Sequence, residues 1–359
     1  MKMSAVRVLL WALMCLALPV VGMWMWGVEV PELWAFPPEV REIGEIGFSR
    51  WVAAVYWVGM LVLFAWLLKR RPVSLLPEAS PEGGCFPGWG WCAVAWLGVG
   101  WWLSWSRHPW FSWGQEYTFT PLWVGYVVVV NAWVQKRTGR CPMCERPLFF
   151  FALFPVSAVF WWVFEYYNRF VQNWIYWGDD VGAVEYIVHA SVCFSTVLPA
   201  VYSTAVLLRS FRRWQQRMRG PCWCPAAPRA LACGVLLVCA ASFLAVGVYP
   251  RLLYPLLWTG PLLVWLCLGV LAGRPVDLGN LGEGDWREVW TWALAALISG
   301  FFWEMWNVQS LVKWTYQVPH LHGVLVFEMP LAGFLGYLPF GLECALVVGV
   351  VRRAMKGFV

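Results

Sequence analysis

The chain has 359 residues, of which 61% are hydrophobic and only 13% charged. A soluble domain carries about 45–50% apolar and about 25% charged residues, so an ordinary water-solvated globule is excluded. The net charge of +6 does not point to nucleic acid, because the basic residues lie in short stretches between apolar runs and build no basic surface with stacking aromatics.

Apolar runs of about 17–25 residues recur along the chain, each long enough to cross a hydrocarbon core of about 30 Å. In lipid the backbone must satisfy its own hydrogen bonds, which leaves helices or a closed barrel. Barrel strands would alternate in segments of about 10 residues, whereas runs such as 235–248 and 342–351 are continuous and show no such alternation. The expected fold class is therefore all-α, a polytopic integral membrane protein of ten transmembrane helices. In chain order the spans are expected at 6–28, 51–68, 89–105, 119–134, 148–169, 185–208, 230–248, 252–272, 288–307 and 324–351. The first follows a basic start, so a cleaved signal peptide is its alternative. Its apolar part is longer than a signal core and no A-x-A site follows, which favours a helix.

With the N-terminus in the cytoplasm, only Arg41, Arg50, Arg107, Arg169, Arg251 and Lys313 of the 26 basic residues fall outside. That bias places both termini inside, in the plasma (inner) membrane of a bacterial cell.

An internal repeat follows from residue matches. Pro121-Leu122 recurs as Pro261-Leu262, Glu165 and Asn168 as Glu304 and Asn307, and Trp174 and Tyr176 as Trp314 and Tyr316. Phe194, Leu198 and Pro199 recur as Phe334, Leu338 and Pro339. The offset is 139 for the Glu and Asn pair and 140 for the others. A near-constant register implies duplication: expected helices 4–6 and 8–10 are parallel copies about a pseudo-two-fold axis along the membrane normal. The expected organisation is two N-terminal spans with an acidic outer loop in 1–88, a first repeat in 89–229 and a second in 230–359.

Charged groups inside a span are costly and are functional candidates by default. Glu165 and Glu304 lead, each with an Asn three residues later on the same helical face. Two carboxylates facing one axis in a low dielectric do not both ionise readily, which suits acid–base chemistry, proton-coupled movement or metal ligation. The structural alternative pairs Glu165 with Arg169 and each Glu with its Asn. His189 begins the sixth span, and its neighbour Val188 aligns with Glu328, so the repeats place different polar groups at one level. The candidate catalytic set is Glu165, Glu304, Asn168, Asn307, His189 and Glu328. Trp162, Trp174, Tyr176, Trp303, Trp314 and Tyr316 are the candidate substrate-binding residues, with bulk packing as the alternative. Histidine with carboxylate also fits an outer-side divalent metal, and His189 alone a haem. Glu343 is a further intramembrane acid, deeper toward the cytoplasm.

Twelve cysteines are present. Cys141 and Cys144 form a CxxC and Cys222 and Cys224 a CxC, both in inner loops. Four thiolates would make a structural zinc site; a redox dithiol and unpaired thiols are the alternatives. The cofactor is otherwise unknown. The reading is a membrane-embedded protein acting on a lipidic or hydrophobic molecule at the outer leaflet, with paired carboxylates for proton chemistry. A proton-coupled transporter and a non-catalytic subunit or scaffold are its alternatives, so whether the chain is an enzyme stays open. The expected partners are the lipid bilayer, a hydrophobic small molecule and a protein at the cytoplasmic loops, with no nucleic acid.

Overall fold

The long apolar stretches fold as helices, as a chain without water to solvate its backbone must. A computed structural model describes residues 2–28, 33–38, 47–68, 83–178, 181–211, 214, 229–273, 278–279, 281–321 and 323–355. Helix α1 (Lys2–Ala12) passes through a π-helical turn, Leu13–Ala17, into α2 (Leu18–Met25). Helices α3 (Arg50–Leu68) and α4 (Gly88–Trp105) follow. A 3-10 stretch, Pro109–Tyr117, bends by 70° into α5 (Phe119–Thr138), which ends where Gly139 takes a left-handed φ of 74°. A single turn, α6 (Pro142–Glu145), precedes α7 (Pro147–Val171), strand β1 (Trp174–Trp177), α8 (Ala183–Phe194) and α9 (Val197–Arg209). Next come α10 (Arg229–Ala245) and α11 (Pro250–Leu257), which bends by 55° into α12 (Gly260–Leu271). Helix α13 (Arg287–Asn307) leads to β2 (Lys313–Tyr316), the short strands β3 (Leu325–Val326) and β4 (Met329–Pro330), and α14 (Tyr337–Ala354).

The protein is thus mostly helical. Among the described residues four helical segments are long and apolar enough to cross a membrane, Val6–Met25, Pro147–Val171, Ala183–Arg209 and Leu331–Ala354, or up to six if each bent pair is one span. That number is below the ten spans expected, and three of the expected stretches also differ as helices. The sixth is interrupted at Ser195 and Thr196, whose hydroxyls donate to the carbonyls of Val192 (2.7 Å) and Cys193 (2.8 Å) and so compete with the helical ladder. The eighth is split before Gly260-Pro261, where proline has no N–H to offer the preceding turn. The tenth starts late, because 325–330 pairs as the β3–β4 hairpin.

Polarity runs inside out relative to a soluble protein. Val55, Leu61, Val159, Leu237 and Val238 are exposed, whereas Asn131, Ser157, Ser203, Thr204, Ser299, Glu165, Glu304 and Glu343 are buried. Polar groups on adjacent helices meet there: Asn131 Nδ2 donates to Ser203 Oγ at 2.9 Å, and the Tyr126 and Thr204 hydroxyls lie 2.8 Å apart. That is the pattern of helices packed in a bilayer. Helix α13 packs on α14 and α9, α5 on α4 and α9, α7 on α8 and α9, and α10 on α12 and α2. The α13–α14 approach needs Gly341, since a Cβ there would lie 2.2 Å from the Trp292 carbonyl oxygen.

The feature that positions the site is small. Strands β1 and β2 each leave the C-terminal end of a long helix, α7 and α13, and pair antiparallel with Trp174 opposite Tyr316 and Tyr176 opposite Trp314.

Candidate functional site

Each helix end is tied to its strand in the same way. Asn168 Nδ2 donates to the Trp174 carbonyl at 2.7 Å, and its Oδ1 accepts from the backbone N–H of Asn173 (2.7 Å) and Trp174 (3.3 Å). Asn307 Nδ2 donates to the Trp314 carbonyl at 2.7 Å, and its Oδ1 accepts from the Trp314 N–H at 2.9 Å. Both side chains are thereby occupied by backbone. They fix where the strands sit and so aim the aromatic side chains that follow.

Those aromatics return to the glutamates one helical turn earlier. Glu165 Oε1 accepts from Tyr176 Oη (2.6 Å), Trp161 Nε1 (2.9 Å) and Trp174 Nε1 (3.1 Å). Glu304 Oε1 accepts from Tyr316 Oη (2.7 Å) and Tyr337 Oη (2.6 Å), and Trp314 Nε1 donates to Tyr316 Oη at 2.8 Å. Both carboxylates are buried. Glu304 Oε2 is buried with no hydrogen-bond partner among the described residues. Arg169 turns its guanidinium to the carbonyls of Leu33 (3.2 Å) and Ala35, so the four-residue spacing from Glu165 is not used for an ion pair.

One donor differs between the two glutamates, and a glycine accounts for it. Trp161 lies four residues before Glu165; the position four before Glu304 is Gly300. A Cβ at Gly300 would come within 2.5–2.6 Å of the Tyr337 ring. The missing side chain lets Tyr337 of α14 occupy the space and donate to Glu304 as Trp161 donates to Glu165.

The tyrosines face a cavity of about 410 Å3, within the range of about 300–1,000 Å3 usual for small-molecule sites. Its wall includes Trp161, Trp174, Tyr176, His189, Trp303, Trp314, Tyr316 and Tyr337. It also includes Thr118, Trp258 and Thr259, at the breaks of both bent helix pairs. Trp161 stacks on Trp303 (5.3 Å between ring centroids), and Phe119 meets Trp314 edge-on at 5.8 Å. Glu165 and Glu304 are not in the wall. They lie one phenol behind it, with Glu165 lining a separate hollow of about 70 Å3 beside Asn168 and Arg169. Burial pushes the hydroxyls of Tyr176 and Tyr316 well above the ordinary tyrosine range, and the neighbouring carboxylate adds to the shift. Both remain protonated donors at neutral pH.

The other sequence candidates are placed as follows. His189 lies in the wall, edge-on to Tyr117 at 5.0 Å. Glu328 pairs with Lys313 at 2.7 Å. Trp162 is directed to the α7–α8 contact, donating to Ser191 Oγ at 3.0 Å and packing on Phe194. Cys141 is buried and Cys144 exposed; Cys222 and Cys224 lie outside the described residues, and with them half of the expected zinc site. Among the described residues no group of three or more His, Cys, Asp or Glu is placed to hold a metal ion. Sequence reasoning missed Tyr337 and Trp258. Neither has an aromatic counterpart at the repeat offset, so the only signal for them was their position in aromatic-rich spans.

Compared with known proteins, the chain matches no protein family, no curated relative and no solved structure.

Proposed function

We propose that the protein is a ten-span membrane protein that binds a hydrophobic molecule in the aromatic cavity and uses Glu165 and Glu304 to hold and move protons at its wall. The observation that carries this reading is the pair of carboxylate–phenol contacts, Glu165–Tyr176 and Glu304–Tyr316, at 2.6 and 2.7 Å beside one cavity. A phenol that donates to a carboxylate and fronts a cavity passes a proton between the two without exposing the carboxylate to the ligand. His189 adds an imidazole to the same wall.

The proposed architecture has helices 4–6 and 8–10 as parallel copies, with both termini cytoplasmic and the cavity toward the outer leaflet. Its support is the Lys and Arg bias, the matched Asn–strand and Glu–Tyr bonds, and the two bent pairs. The first bend falls at Thr118 and the second at Trp258–Thr259, which agrees with the offset of 140 read from the sequence.

The test is to purify the protein from its native membrane and identify co-extracted small molecules by mass spectrometry, for the native chain and for Glu165→Gln and Glu304→Gln. A stoichiometric hydrophobic compound that is depleted in both variants is the expected result. Equal retention by all three proteins would sink the carboxylate role.

Proton-coupled transport is the second reading, and one observation favours it. Broken helices at a binding site are a recurring feature of secondary transporters, and both breaks here line the cavity. Ligand flux into proteoliposomes that follows an imposed pH gradient would select this reading over a stationary site.

A further inference from the structure

Resting on the reading of the cavity as a binding site, we propose that its ligand carries an organic cation, a quaternary ammonium or protonated amine, which the wall holds by its aromatic faces. Four observations converge. First, no Lys or Arg is present among the described residues that line the cavity, whereas the acidic Glu116 is one of them. Second, the wall is an aromatic cage. Trp161 lies against Trp303 at 5.3 Å and Trp174 at 6.3 Å, Trp174 against Trp258 at 5.8 Å, and Tyr176 edge-on to Trp314 at 6.5 Å. Indole and phenol faces are the groups that bind ammonium ions, most strongly when desolvated.

Third, the phenols are made better cation hosts than isolated tyrosines. Tyr176 donates to Glu165, and Tyr316 and Tyr337 donate to Glu304. Donation to a carboxylate pushes electron density into the ring, because linked hydrogen bonds polarise one another. Fourth, the Glu304 carboxylate stands one phenol behind the wall, with Oε2 lacking a donor among the described residues, so it acts on a cavity cation only through Tyr316 and Tyr337.

The fold also disposes of the main argument for an anion. Helix α12 begins at the cavity, and a free helix N-terminus attracts negative charge. Here Glu343 Oε1 already accepts the Leu262 N–H at 3.2 Å, so that end is answered by a carboxylate of α14.

The same cation could arrive free or as a lipid headgroup, and the test separates the two. The detergent-solubilised protein is titrated calorimetrically with choline, with its neutral carbon isostere 3,3-dimethylbutan-1-ol, and with monomeric dihexanoyl-phosphatidylcholine and dihexanoyl-phosphatidylglycerol. The expected result is a preference of at least about tenfold for a cationic probe over its uncharged or anionic counterpart. Glu304→Gln should reduce that preference while thermal unfolding stays cooperative. Binding of choline identifies a free cation, and binding of the phosphatidylcholine alone identifies a headgroup; either supports the proposal. If 3,3-dimethylbutan-1-ol binds as tightly as choline, the cavity is a hydrophobic site and the cation inference falls while the binding reading stands. Tighter binding of the phosphatidylglycerol overturns the inference as well, and silence from all four probes overturns both.

Discussion

At the residue scale, the asparagines and Gly300 have roles that differ from those of the glutamates, and substitution should separate them. Asn307→Ala would strip the Trp314 N–H and C=O of their partners. Each buried group left unpaired costs roughly 1–3 kcal/mol, so this variant, and Asn168→Ala with it, should unfold at distinctly lower temperature even with the cavity empty. A purely ligand-orienting asparagine would leave the melting temperature alone. Gly300→Ala should act by overpacking: its new Cβ meets the Tyr337 ring at 2.5–2.6 Å, and forcing a methyl into a packed site costs typically about 1–3 kcal/mol. Tyr337→Phe removes only the hydroxyl bond to Glu304. A thermal melt should therefore rank Gly300→Ala as the more damaging of the two, and the opposite order would mean that α14 moves freely away from α13.

At the scale of elements, the strand pair joins the ends of α7 and α13 across the cavity. Ile175 and Thr315 are directly opposed in the β1–β2 register, and opposed residues in an antiparallel pair lie about 4.5–5.5 Å apart at Cα, within disulfide reach. The double variant Ile175→Cys with Thr315→Cys should cross-link under mild oxidation, read as a linked peptide by mass spectrometry. Ile175→Cys with Lys313→Cys, which is out of register, should not. Element bounds were legible wherever apolar length decided them: α3, α4, α7 and α13 lie within a few residues of their expected spans. They were not legible where local hydrogen bonding or a proline cut an apolar run, as at Ser195–Thr196 and Gly260-Pro261, because hydropathy registers the side chain and not the backbone partner.

For the whole molecule, the topology proposed from Lys and Arg makes a directional prediction. Cys144 is exposed in α6 on the proposed cytoplasmic side, and Trp113 is exposed in the 3-10 stretch on the proposed outer side. In intact cells a membrane-impermeant maleimide should label Trp113→Cys and leave Cys144 unmodified until the membrane is opened. The reverse pattern would invert the topology and move the cavity to the cytoplasmic leaflet.

The sequence by itself determined that this chain is helical and suited to a bilayer, because composition and apolar run length are one-dimensional properties that the solvent reads directly. It also singled out Glu165, Glu304, Tyr176 and Tyr316, since repeated spacing is visible along a chain. Only the tertiary structure decided what those residues do to one another. The antiparallel pairing of β1 with β2 draws the ends of α7 and α13 to one cavity, and the phenols stand between that cavity and the carboxylates. The exchange of Trp161 for Tyr337 was out of reach of sequence reasoning, because it depends on Gly300 opening a space that a residue 37 positions later fills from another helix. Contacts of that kind are set by packing between distant segments, which residue spacing along one helix does not encode.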